Sequence, residues 1–169
     1  MRTSLVLLCL VPVLACEKTE TTGGEAPTQA VAPEWKQVGG LGIEAQVWQD
    51  TRIDDKTASA KFPSVTIWAS PTVFVTGKND VFWPADAEKA KEEAKSDPNK
   101  FQSFTLDKAT ASGFHLEYTL ESLMDKAPIY GVKIRETVGG NPFDCGGNAK
   151  SETERKKIVA ICQSLRASK

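Results

Sequence analysis

Four cysteines, at positions 9, 16, 145 and 162, and one histidine, His115, are the residues of this 169-residue sequence that lend themselves most readily to covalent or acid–base chemistry. A single histidine excludes a histidine-rich metal centre. A Ser-His-Asp arrangement would have to use His115, yet no Gly-x-Ser-x-Gly elbow accompanies it. Alternation in Phe114-His115-Leu116-Glu117 puts His115 on the polar side of a strand, where an exposed histidine without catalytic duty is expected. No Gly-x-x-x-x-Gly-Lys phosphate cradle occurs, and the glycine pairs at 39–40, 139–140 and 146–147 read as turns. The 22 aspartates and glutamates leave hydrolysis by paired carboxylates open, since two acids suffice for cleaving a glycosidic bond. No spacing singles out such a pair, and neither a metal nor a cofactor is expected.

The first cysteines belong to an address. Arg2 precedes an apolar run from Leu5 to Leu14, the charged-then-apolar order of an export signal. Ten residues are too few to span a bilayer, which takes roughly 20 apolar residues for about 30 Å of hydrocarbon. The run ends in Val13-Leu14-Ala15-Cys16, which resembles the lipobox of bacterial lipoproteins. Leu14 departs from that pattern, in which a small residue is usual two positions before the cysteine. The resemblance implies removal of residues 1–15, Cys9 among them, and attachment of acyl chains such as palmitate to Cys16. Two or three chains make a stable anchor without a spanning helix. Glu17, where an aspartate would favour inner-membrane retention in enterobacteria-like sorting, favours the outer membrane, with the folded part in the periplasm or at the cell surface.

Residues 17–33 contain no aromatic residue and no apolar periodicity, and read as a solvated tether spanning on the order of 20 to 25 Å. The expected domain is 34–169. Loss of residues 1–15 removes only Arg2 from the charged set, leaving 20 cations against 22 acids. That balance supplies no clustered cations for nucleic acid, which is not an expected partner.

With Cys9 and Cys16 set aside, Cys145 and Cys162 remain in a chain bound for an oxidising compartment, and a disulfide is expected between them. A redox pair or zinc site is disfavoured, because the spacing is not Cys-x-x-Cys and no histidine nearby completes a zinc shell. Among larger side chains, Trp48 and Trp68 fall out of phase with the apolar residues of their strands, and Trp83 stands in Val81-Phe82-Trp83-Pro84. Core packing explains them; convergence of two or three would instead make a stacking surface for a ligand or partner. Leu123-Met124 is a second candidate contact.

The elements that must position these residues follow from periodicity. Strands are predicted around Ile43–Val47, Val65–Trp68 and Val73–Val75, with Ser70-Pro71 and Gly77-Lys78-Asn79-Asp80 as turns. A helix is predicted over 86–95, stopped by Asp97-Pro98, with only Ala87, Ala90 and Ala94 as its apolar stripe. Phe114–Leu120 and Tyr130–Ile134 alternate as an antiparallel pair, in which Glu117 is expected opposite Lys133 or Arg135. A strand around Cys145 follows a turn at 138–142. Ser151 with Glu154 resembles a capping box opening a helix to about Arg166, whose Ile158, Ile161, Cys162 and Leu165 share one face.

The sum is an α+β domain: six or seven mostly antiparallel strands packed with two helices, the C-terminal one disulfide-linked to the sheet. Its element order over 43–166 faintly resembles the PsbP-like family of extracytoplasmic domains, whose members mostly act as assembly or accessory factors. That resemblance carries no residue with it. The expected function is a non-enzymatic, lipid-anchored binding or accessory module for an envelope protein or small ligand, with an envelope-polymer hydrolase or a passive structural lipoprotein as alternatives. A concave aromatic cleft favours ligand binding, a flat apolar patch a protein partner, and a closed polar surface the structural role.

Overall fold

A computed structural model describes residues 32–54, 64–77, 84 and 86–169; the export segment, Cys16, nearly all of the tether and Trp83 lie outside these residues. All described elements belong to one unit, Val31–Lys169. In chain order they are β1 (Glu34–Gln37), β2 (Ile43–Val47), β3 (Arg52–Asp54), β4 (Ser64–Trp68), β5 (Val73–Thr76), α1 (Ala87–Lys95), β6 (Lys100–Thr110), β7 (Gly113–Glu121), β8 (Pro128–Val138), β9 (Asn141–Ala149), α2 (Glu152–Gln163) and β10 (Arg166–Ala167). Seven strands form an antiparallel sheet in the order β3-β4-β5-β9-β8-β7-β6, and β1-β2-β10 form a second sheet. The α+β class, the two helices and the disulfide to the C-terminal helix are as the sequence predicts.

Both faces of the large sheet are covered, by different means. On one, Val65, Ile67, Val73, Val75, Val132 and Ile134 meet Ile158 and Ile161 of α2 and the inward residues Ile43, Ala45 and Val47 of β2. On the other, Phe114 and Leu116 meet Ala90, while Tyr118 and Leu120 meet Ala94. The alanine stripe therefore lets α1 approach the sheet closely. Asp86 caps this helix, accepting from the Lys89 amide at 2.9 Å. Close approach also governs Gly131, where a Cβ would run into the Tyr118 ring.

α2 starts at Ser151, whose hydroxyl accepts from the Glu154 amide at 3.2 Å. Glu154 reaches back to the Lys150 amide at 2.8 Å, one residue before the usual capping-box partner. The helix ends at Gln163 rather than near Arg166. Ser164 instead accepts from the Gln46 amide at 2.8 Å, and Arg166 joins the small sheet beside Glu44.

Register overturns one expected pairing. Leu116 lies across from Lys133 and Glu117 across from Val132, so the apolar sets of β7 and β8 face opposite sides of the sheet. Lys133 and Arg135 share the α1 side, where Lys133 lies 2.6 Å from Glu93 and Arg135 grips Asp144 through two contacts of 2.7 and 2.6 Å. Strand β6, absent from the sequence prediction, carries two register shifts that turn both Phe101 and Phe104 to the α1 side and break the period of two. Gly146-Gly147, read as a turn, lies inside β9.

Candidate functional site

Cys145 and Cys162 form a disulfide across 17 residues, with their Cα atoms 5.5 Å apart. It joins β9 to the buried stripe of α2, where both sulfurs are sealed in the core. It is a structural link, and neither cysteine lines any of the clefts found among the described residues.

His115 departs from its expected exposure: only 7% of it is accessible. Alternation along β7 is real, but its polar side faces α2 rather than water. His115 Nε2 lies 2.9 Å from Glu117 Oε1, and Arg155 of α2 brings its Nε within 3.0 Å of Glu117 Oε2. Neither contact lies along a hydrogen-bonding direction, and the first is an ion pair only when the imidazole is protonated. Arg155 also reaches Glu152 at 2.6 Å, donates to the Thr105 hydroxyl at 2.6 Å, and covers the Tyr130 ring. Burial lowers the His115 pKa more than Glu117 raises it, so the imidazole is neutral near pH 7. A neutral, covered imidazole serves here to bury a carboxylate–guanidinium pair.

Of the tryptophans, Trp68 is 49% exposed, whereas Trp48 is half-buried at the margin of the main core with the Lys157 ammonium 5.7 Å over its ring. Trp48 lines a small cleft with Ala69 and Ser70; Trp83 lies outside the described residues. Leu123 and Met124 project from the β7–β8 connection, Met124 being 97% exposed.

One opening among the described residues involves a residue not singled out in the sequence. Val73 and Val75 point into the core, so Phe74 must point the other way, and it is 44% exposed on the α1 side. Register places Phe74 beside Gly146, and Gly146 beside Lys133. A cleft of about 320 Å³ opens here, with Phe74 as one wall and Tyr118 and Asp97 among its other sides. Its floor at Gly146 is bare strand, because a Cβ there would strike the Val132 carbonyl. Burial pushes the Tyr118 phenol up to about 12, with nearby Asp97 and Glu93 adding to the effect, so it stays a neutral hydrogen-bonding group. The sequence signal was Val-Phe-Val: in a strand with buried neighbours, the central ring belongs to the opposite face.

Two further clefts lie beside it. A second, also of about 320 Å³, shares Thr72 and Asn148 with the first and adds Ser70, Pro71, Lys150 and Glu154. A third, of about 50 Å³, shares Ala69 and Ser70 with the second and ends at Trp48 and Lys157. Each of these three is lined by one carboxylate: Asp97, Glu154 and Asp50. Among the described residues, no group of three or more His, Cys, Asp or Glu side chains is arranged to hold a metal, and no helix is long and apolar enough to cross a membrane.

No protein-family model and no curated protein matches this chain.

Proposed function

We propose that the chain is a lipid-anchored, non-enzymatic binding module of the bacterial envelope, held by acyl chains on Cys16, favouring the outer membrane, and working through the cleft beside Phe74. The observation that carries this reading is the cleft itself: an exposed aromatic wall over a side-chain-free floor, rimmed by a few polar groups. That combination is how small-ligand sites gain contact area and orientation together.

The anchor is tested by the intact mass of protein extracted from membranes: a chain beginning at Cys16 with added acyl mass is expected, and an unlipidated or differently cut chain sinks the lipoprotein reading. The cleft is tested by placing a photo-crosslinking side chain at Phe74 and, as comparison, at Gln102 on exposed β6. Adducts formed in membranes at 74 but not at 102 are expected; equal yields at both leave no role for the cleft. Exposed Leu123 and Met124 favour a second contact, with a protein partner, and adducts at 124 alone would shift the reading to an accessory role.

A further inference from the structure

We infer that the groove running from Phe74 to Trp48 binds an uncharged linear glycan, an inference that rests on the binding-module reading above. Five observations converge on that ligand. Phe74 exposes its ring beside the bare strand at Gly146, a flat apolar strip suited to the C–H face of a pyranose. Around it, Thr72, Asn148, the Tyr118 phenol and Asp97 supply both donors and acceptors, matching sugar hydroxyls that do both. Asp97 is held in place, since its Oδ1 accepts from the Asn99 amide at 2.8 Å and from Asn99 Nδ2 at 3.0 Å.

Charge argues against an anion. Lys133 of the first cleft already sits 2.6 Å from Glu93, Lys150 of the second shares that cleft with Glu154, and Lys157 at the far end donates to the Ser70 carbonyl at 3.4 Å while lying over Trp48. The floor argues against an extended peptide. β9 pairs with β5 on one side and β8 on the other, so its backbone has no free ladder to offer an added strand.

Length argues for several sugar units. Each of the two larger clefts lies at the small end of the roughly 300 to 1,000 Å³ typical of ligand sites, and neighbouring clefts share lining residues, Thr72 and Asn148 between the first and second and Ala69 and Ser70 between the second and third. A chain of rings seated on Phe74 would pass Asn148 and Ser70 and cross from the α1 side of the sheet to the α2 side to reach Trp48 and Lys157.

The test is an amide and indole NMR titration of the purified chain with two uncharged probes, chito-oligosaccharides and malto-oligosaccharides, each as disaccharide and tetrasaccharide. One series is expected to shift Gly146, Gly147, Asn148 and the Trp48 indole, with the tetrasaccharide binding about tenfold more tightly than the disaccharide. Phe74→Ala should weaken it about tenfold, the loss expected for one stacking ring, as Gln102→Ala leaves it unchanged. Thermal melts show whether Phe74→Ala remains folded, and Asn148→Ala, at an exposed position, is the second variant. An acidic polygalacturonate tetrasaccharide and an unstructured decapeptide complete the set. Shifts at these groove residues with either of those, and with neither neutral series, overturn the glycan inference but leave the binding module standing. Silence of the groove toward every probe overturns the inference and removes the support for the binding reading as well.

Discussion

Tyr118 and His115 lie on opposite faces of β7, and each is held neutral by burial. For Tyr118 the folded pKa, pushed up to about 12, exceeds the unfolded value near 10. Between those values the unfolded chain gives up a proton that the folded chain keeps, so stability falls as pH rises through that window. Wild type is therefore expected to lose melting temperature more steeply from pH 10 to 12 than Tyr118→Phe; parallel curves would show that the phenol is not protected. For His115 the folded pKa lies below 6.5, under the net effect of burial against Glu117 and Glu136, with Lys108 lowering it further. Below pH 6.5 the unfolded chain takes up the proton first, so the stability owed to the neutral imidazole is present above that pH and is lost on acidification. His115→Gln should flatten the decline between pH 7 and 5, and an imidazole titration midpoint at or above 6.5 in the wild type would contradict the burial argument.

α2 is tied down at both ends, by Arg155 near its start and Cys162 near its finish. The Arg155–Glu117 contact is mostly enclosed, with side-chain exposures of 12% and 15%. Removing one partner strands the other, which costs on the order of 3 kcal/mol for a buried pair. Arg155→Met is expected to destabilise by about that much, and adding Glu117→Gln to recover part of it, because the stranded charge disappears. Simple additivity of the two changes in denaturant unfolding would mean that Glu117 is solvated. This contact also marks where sequence reasoning stopped. Alternation in Phe114–Glu121 identified β7, and the stripe Ile158, Ile161, Cys162 identified the inward face of α2. Alternation cannot say which of two covered faces a polar row will meet, so His115 and Glu117 read as wet. The cleft was hidden for a related reason: Gly146-Gly147 has the composition of a turn, and only register shows it to be a strand floor beneath Phe74.

At the scale of the whole molecule, the lipoprotein reading couples address to stability through the Cys145–Cys162 disulfide. A loop of 17 residues closed by a bridge adds about 3 kcal/mol in the chain-entropy account, a large fraction of the roughly 5–15 kcal/mol that holds a domain folded. Such a bridge persists where the surroundings are oxidising. On the lipoprotein reading, residues 1–15 deliver the chain to that compartment, and the anchor at Cys16 then keeps it there. Two variants separate the two duties. Cys16→Ser should abolish lipidation, yet any exported chain should still show Cys145 and Cys162 unreactive toward alkylation until reduced. Deletion of residues 1–15 should leave the chain in the reducing cytoplasm with both thiols free and an unfolding free energy lower by about 3 kcal/mol. The measurement is alkylation mass on each variant, paired with denaturant unfolding before and after reductant. A deletion variant that forms the bridge in the cytoplasm, or unfolds no more easily without it, would break the link between export and stability and leave the disulfide a local feature of β9 and α2.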